Sequence, residues 1–494
     1  MSRSSRLFVS AIAALIISAP ASAQLGGIGG AVGGVVGGVT GGIGSTVGGA
    51  TGTVGNVTGA VGGALSGGGG GGGRGSGGLG GSGGLSGRLS SLQVNTISDS
   101  LLGNGIGDDL LEQVSLDRLA TVQPIGLSSM TPEQEADLRM LRFRAMVAAN
   151  RATLDLDPRG LPVQRLNLVA ADPDAVSLRA AGRAGFAVVG SEFIPDLGIQ
   201  MVKLGVPRRM NVRQAMNVLR KAAPALQVDY DHVYEPAGGA LLPAFGAALA
   251  ASAPRAGRQR IAMIDGGVAA HPSLARASIE QRGFAGTPQP TGHGTAVGSL
   301  LVGEQGPFHG AARGAQLYVA DVYGGNPAAG SVANIVRALG WAASKRPSVI
   351  NISLVGPDNR ILSRAIAALR ARGIAVTAAV GNDGPAAPPQ YPASYPGVVA
   401  VTAVDARGHA LPEAGKSLHL DFAAPGADMA AALPGRGYTR VRGTSFAAPL
   451  AAARLALTGS YQRLAAEAVP GKGRVGRGIV CAQCRIDPRV FRAK

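Results

Sequence analysis

Cysteine is almost absent. The only two, Cys481 and Cys484, form a single C-x-x-C near the end of the sequence, without the second pair that a zinc site normally needs. Arg485 follows the motif instead of His, so haem attachment is unsupported as well, and in an oxidising compartment a small local disulfide is the default. Aromatic residues make up 4% of the chain, which leaves base stacking little to build on. Nucleic acid is therefore not an expected partner, although the net charge of +17 and a pI near 10.8 point that way. Long apolar runs are missing too. The longest at the start, Leu7 to Ile17, falls short of the roughly 20 residues a membrane span requires.

That run follows Arg3 and Arg6 and precedes Ala21-Ser22-Ala23, the pattern of a secretory signal over residues 1–23. The expected location is secreted, periplasmic or in the cell envelope. Residues 24–90 are dominated by Gly, with Gly pairs every four residues from Gly29 to Gly42. Glycine costs about 1 kcal/mol per helical position relative to Ala, so this segment reads as a disordered spacer. The same spacing fits G-x-x-x-G helix association, but no apolar flank completes a span. Association of the spacer or of the basic surface with a membrane or envelope stays open. Residues 255–494 hold 27 Lys or Arg against 12 Asp or Glu, which reads as a solvated Arg-rich surface.

At 494 residues, 46% of them hydrophobic, the chain can form two or more folded units. Residues 91–160 form a helical pre-segment, in which Thr131-Pro132-Glu133-Gln134 is a capping box opening a helix toward Asn150. Residues 161–236 alternate between strand and helix signals. These are Leu166–Val169, a helix from Asp172-Pro173, Phe186–Val189, Ile199–Leu204, a helix over Asn211–Ala222, and Val228–Val233. The order β-α-β-β-α-β is that of a ferredoxin-like α+β unit. His232 reads as a satisfied surface or edge histidine rather than a ligand. Residues 237–260, rich in Ala, Gly and Pro, form a linker.

Beyond the linker the apolar runs IAMID, AQLYVADV, PSVINISL, GIAVTAAV and PGVVAVTAV alternate with helical stretches such as Ser331–Ala343 and Ser363–Arg372. Runs of that kind are strands buried on both faces, so residues 261–460 should fold as an α/β, doubly wound, mostly parallel sheet. Residues 461–494 are left as a basic C-terminal tail carrying the C-x-x-C. Ligands of such a sheet bind beyond the carboxyl ends of its strands, where Asp265, His293, Asn382 and Ser445 all fall. A serine hydroxyl becomes a nucleophile when a neutral imidazole takes its proton and a carboxylate holds that imidazole's tautomer. The Ser445 N–H at a helix start and the Asn382 amide can receive an oxyanion.

The blocks "IAMIDGG", "GHGT", "INISLVGP", "AAVGNDG", "YPASYPGVVAVTAVD" and "GTSFAAP", in this order over about residues 255–460, resemble those of the subtilisin-like serine peptidases, the subtilases. The resemblance implies a subtilisin-like fold and an endopeptidase acting on proteins or peptides through an acyl-enzyme. Asp265 would orient, His293 act as base and then acid, Ser445 attack, and Asn382 stabilise the oxyanion. Ser353, Leu354, Val355 and Gly356 would form one edge of the substrate cleft and Ala379, Val380 and Gly381 the other, pairing with an extended peptide as an added strand. The ferredoxin-like unit is similar to the family's propeptide, which makes residues 237–260 a processing zone. No cofactor is implied and no metal ligand is assigned; a structural calcium ion is left open, although no motif supports one. The sequence departs from the family at Gly266, where Thr or Ser is usual, and at Ala296, where His is usual. The competing reading is a Gly-rich surface protein whose peptidase-like domain is catalytically weak and only binds.

Overall fold

The computed structural model describes residues 132–237, 241–243, 257, 259–435 and 437–490. The expected signal, the Gly-rich spacer, the start of the pre-segment and the capping residue Thr131 lie outside the described residues. Helix α1 (Pro132–Ala149) comes first. It leads into β1 (Leu154–Leu156), β2 (Pro162–Ala171), α2 (Ala175–Arg183), β3 (Val188–Ile194), β4 (Ile199–Gly205), α3 (Val212–Ala222) and β5 (Val228–His232). The strands pair antiparallel in the order β5-β2-β4-β3, with β1 on the start of β2, which is ferredoxin-like connectivity. Alternation along each strand gives the sheet two apolar faces. Leu168, Val202 and Leu204 pack under α2 and α3 with Met216 and Leu219, while Val169, Ile194, Ile199 and Met201 face the helices of the following unit. The capping box that opens α3 is complete, with Asn211 and Gln214 each closing the other's backbone N–H.

The chain then forms β6 (Glu235–Pro236), β7 (Leu241–Pro243), β8 (Arg260–Asp265), β9 (Ser278–Gly283), α4 (Gly292–Val302), β10 (Gln316–Asp321), α5 (Val332–Ser344), β11 (Val349–Ile352) and β12 (Leu354–Val355). It continues through α6 (Arg360–Ala371), β13 (Ala375–Ala379), β14 (Val399–Val404), β15 (Phe422–Pro425), β16 (Met429–Ala432), β17 (Tyr438–Val441), α7 (Thr444–Thr458) and α8 (Tyr461–Ala466). Seven strands make one parallel sheet in the order β15-β14-β13-β11-β8-β10-β9, with α4 and α7 against one face and α5 and α6 against the other. The chain crosses from β10 on one side of β8 to β11 on the other. The crevice of the sheet therefore opens at the carboxyl end of β8, where Asp265 stands. Among the described residues no helix is long and apolar enough to cross a membrane.

The two units are joined by charge as well as by apolar contact. The Asp231 carboxylate accepts from Ala333 N in the first turn of α5 (2.9 Å), and Asp229 accepts from Arg360 N at the start of α6 (3.0 Å). Each satisfies a backbone N–H that a helix leaves free and sits at the positive end of the dipole.

Three expectations need correction. His232 is neither exposed nor at a surface: it is fully buried, with Nε2 donating to Asp157 Oδ2 (3.3 Å) and Nδ1 accepting from Asn359 Nδ2 (3.0 Å). Packing of α6 over β5 hides an edge that the sequence leaves open. Burial raises the Asp157 carboxyl, but the His232 contact and the Leu161 N–H outweigh it and hold it at about 2. Secondly, residues 461–490 are no free tail. Leu464, Val480, Cys481 and Cys484 are buried against the sheet's core, and the two cysteines form a disulfide, so apolar contact at four points outweighs the segment's basic composition. Thirdly, the pre-segment is not helical throughout, since β1 within it adds to the ferredoxin-like sheet.

Candidate active site

Asp265 ends β8, and its Oδ1 accepts from Gly266 N (2.7 Å) and from His293 Nδ1 (2.8 Å). A carboxylate only accepts, so Nδ1 carries the proton and Nε2 is left to accept from the Ser445 hydroxyl, 2.9 Å away. His293 stands in the first turn of α4, whose N-cap Thr291 accepts from Gly294 N (2.9 Å). The Thr291 side chain also fills the space beside Gly266: a Cβ there would lie 2.4 Å from Thr291 Oγ1. Gly266 thus cannot carry the hydroxyl usual in the family, and Asp265 Oδ2, buried, has no hydrogen-bond partner among the described residues.

Ser445 opens α7 behind Gly443, whose φ of 140° only glycine adopts readily. Pro449 has no N–H to give to the Ser445 carbonyl four residues back, and Ser353 Oγ donates to that carbonyl instead (3.0 Å). This bond ties the serine's turn to the rim of the cleft. Asn382 is oriented the same way. Its Oδ1 accepts from Thr444 N (2.9 Å), which turns Nδ2 outward beside Ser445 N. Two donors converge there on one point, the geometry an oxyanion requires.

A carbonyl of the chain itself occupies that point. Ala237 O accepts from Ser445 N (3.3 Å) and from Asn382 Nδ2. The residues before it run along the cleft as an added strand. Ala237 N donates to Ser353 O (2.8 Å), β6 pairs antiparallel with β12, and Tyr234 N donates to Gly330 O (2.8 Å). Ser353, Leu354, Val355 and Gly356 therefore line this segment, with Gly356 directly against the Tyr234 ring. Ala379, Val380 and Gly381 do not form the second pairing edge. Gly381 exchanges hydrogen bonds with Thr444 Oγ1, and Val380 N donates to Val401 O, so these backbones are already engaged. The second edge is Gly330-Ser331, just before α5, where Val233 bridges Ser331. Sequence reasoning missed this pair because Ser331 reads only as the first residue of a helical stretch; the structure makes it the N-cap of α5.

Val355 reaches across the cleft. Its Cγ1 lies 3.5 Å from where a Cβ on Gly381 would stand, so the isopropyl group closes the space between the two walls. Val355→Gly should accordingly improve Phe or Leu relative to Ala at the residue before the cleaved bond by about 1 to 3 kcal/mol in transition-state discrimination. The check is the ratio of kcat/KM values for paired peptides, and an unchanged ratio removes Val355 from this wall.

The subtilase family model matches residues 258–469. Subtilisin Savinase of Lederbergia lenta is 34% identical over 204 residues, 40% of this chain and 75% of that protein. The chain belongs to the subtilase family. It is a serine-type endopeptidase with the subtilisin-like fold. The alkaline protease of Shouchella clausii is also 34% identical, with 53% of its length covered, and the minor extracellular protease Epr of Bacillus subtilis is 30% identical, with 31% covered. The solved structure of fervidolysin from Fervidobacterium pennivorans, a keratinolytic enzyme related to subtilisin, superimposes with a TM-score of 0.55 at 19% identity, over 67% of this chain and 62% of that one. At that identity the likeness concerns the fold.

Proposed function

We propose that this subtilase is exported and cuts its own precursor between Ala237 and Gly238. Ser445 is the nucleophile, His293 the base and then the acid, Asp265 the orienting carboxylate, and Asn382 with Ser445 N the oxyanion donors. The observation that carries the reading is the Ala237 carbonyl resting on both donors, with the preceding residues paired to the cleft rim. Attack by Ser445 Oγ on the Ala237 carbonyl carbon transfers the hydroxyl proton to His293 Nε2. His293 then gives it to the Gly238 nitrogen as the bond breaks, and water hydrolyses the acyl-enzyme. The ferredoxin-like unit acts as propeptide, held to the peptidase by Asp229, Asp231 and the apolar face of its sheet. Export rests on the signal-like residues 1–23 and on the extracellular protease among the relatives.

The purified full chain should yield a fragment beginning at Gly238, and Ser445→Ala should remain intact. N-terminal sequencing with intact mass reads both. Cleavage of pure Ser445→Ala at the same bond, or a first residue elsewhere in residues 238–260, removes the assignment.

A further inference from the structure

Glu235 is the third residue back from the Ala237–Gly238 bond, counting Ala237 as the first, and it lies beside another acid. Asp383 directly follows Asn382 and is 7% exposed. Burial raises the Glu235 carboxyl above its ordinary value, and the neighbouring Asp383 charge adds to this while Arg142 opposes it. Two carboxylates in so dry a place need a cation between them. Arg142 Nη2 supplies it, 3.1 Å from Asp383 Oδ1 and 3.5 Å from Glu235 Oε2. Arg139 Nε lies 3.0 Å from the other oxygen of Asp383, and its Nη2 donates to Gln390 Oε1 (3.0 Å). Both arginines belong to α1, far outside the peptidase unit. Among the described residues, no cation of residues 258–469 forms an ion pair with Asp383.

We propose that Asp383 sets the substrate preference of the released peptidase, selecting an arginine or lysine side chain at the third position before the cleaved bond. In the precursor that place is filled from outside the substrate strand. α1 brings the cation, and the strand itself carries the wrong charge, Glu235. Once the segment before Gly238 departs, Asp383 loses both of its partners together and faces the position that a substrate's third residue enters. A single guanidinium nitrogen spans the gap from Glu235 to Asp383, so a side chain longer than glutamate, built on the same backbone position, reaches the Asp383 carboxylate. With α1 gone the Asp383 carboxylate is left without a cation, so it attracts a basic side chain and repels an acidic one to an extent that salt weakens. The inference rests on the reading of Ala237–Gly238 as the bond the enzyme cuts.

The test uses the released peptidase, obtained by processing of the full chain, and three chromogenic peptide amides, Tyr-Xaa-Pro-Ala with Arg, Gln or Glu at Xaa. The expected order of kcat/KM is Arg above Gln above Glu, with Arg exceeding Glu by about tenfold or more at low salt and by less as salt is raised. Asp383→Asn should bring the Arg-to-Glu ratio close to unity. A flat series in the wild-type enzyme overturns the proposal, as does a ratio that persists in Asp383→Asn. The wild-type series decides even where that variant does not fold. If none of the three peptides is cut while a fluorophosphonate still labels Ser445, the placement of residues 234–237 in the cleft fails, and the self-processing bond fails with it. Equal cleavage of all three removes only the role of Asp383.

Discussion

Asp265→Asn should lower kcat by about 10⁴-fold with little change in KM, about the size known from removing the carboxylate in subtilisin itself. The geometry gives the reason. Asp265 Oδ1 serves two donors, Gly266 N and His293 Nδ1, and the Gly266 N–H requires an acceptor at that point whatever residue stands there. An asparagine must therefore place its carbonyl oxygen toward them, and the imidazole keeps its tautomer. What disappears is the negative charge opposite the imidazolium that forms when Ser445 gives up its proton. Because Oδ2 has no partner among the described residues, the amide NH₂ that replaces it stands buried and unsatisfied. The measurement is single-turnover hydrolysis of a peptide amide by the isolated variant, with circular dichroism to verify the fold. A loss smaller than tenfold would mean that His293 does not depend on Asp265 for its charge.

Gly294→Ala should be almost as damaging, through packing alone. A Cβ on Gly294 would stand 2.3 Å from Gly266 O and 2.7 Å from Gly267 O. These are backbone atoms just past the end of β8, and no rotamer change moves them aside. The first turn of α4 must shift, carrying His293 away from both Asp265 and Ser445. A displacement of about 1 Å at a reacting group costs on the order of 10²-fold in rate. The overpacking should cost a further 1 to 3 kcal/mol, roughly, in stability. Gly298→Ala, in the same helix, provides the comparison, since its Cβ meets the Val268 Cγ2 methyl at 3.0 Å, a side-chain contact where Gly294 meets backbone. Denaturant titration of both substitutions in a Ser445→Ala background excludes self-digestion, and kcat/KM is taken in the active background. If the two alanines behave alike, close backbone approach is not what Gly294 provides.

The strands at the middle of the sheet are legible as apolar runs because burial on both faces removes any need for alternation, as in IAMID for β8 and PGVVAVTAV for β14. That signal fades at the sheet's edge. β9, Ser-Ile-Glu-Gln-Arg-Gly, is largely exposed and polar, and it is held in the sheet by β10 alone. The ferredoxin-like unit is legible for a related reason, since its strand and helix periods alternate at short range. His232 shows where such reading ends. Its own neighbours in sequence are those of an edge strand, and it is buried by the approach of residues distant in the chain, Asp157 on one side and Asn359, 127 residues later, on the other.

The sequence by itself determined the subtilisin-like chemistry, because a strand end, two helix starts and a turn are local features, and each of Asp265, His293, Asn382 and Ser445 is marked by the residues beside it. Tertiary structure alone decided what lies in the cleft. Ala237 meets its oxyanion donors across 145 and 208 positions of chain, and Arg142 meets Asp383 across 241. No local propensity encodes such a meeting. It follows from docking one folded unit on another, through the apolar face of one sheet and the helix-capping acids Asp229 and Asp231.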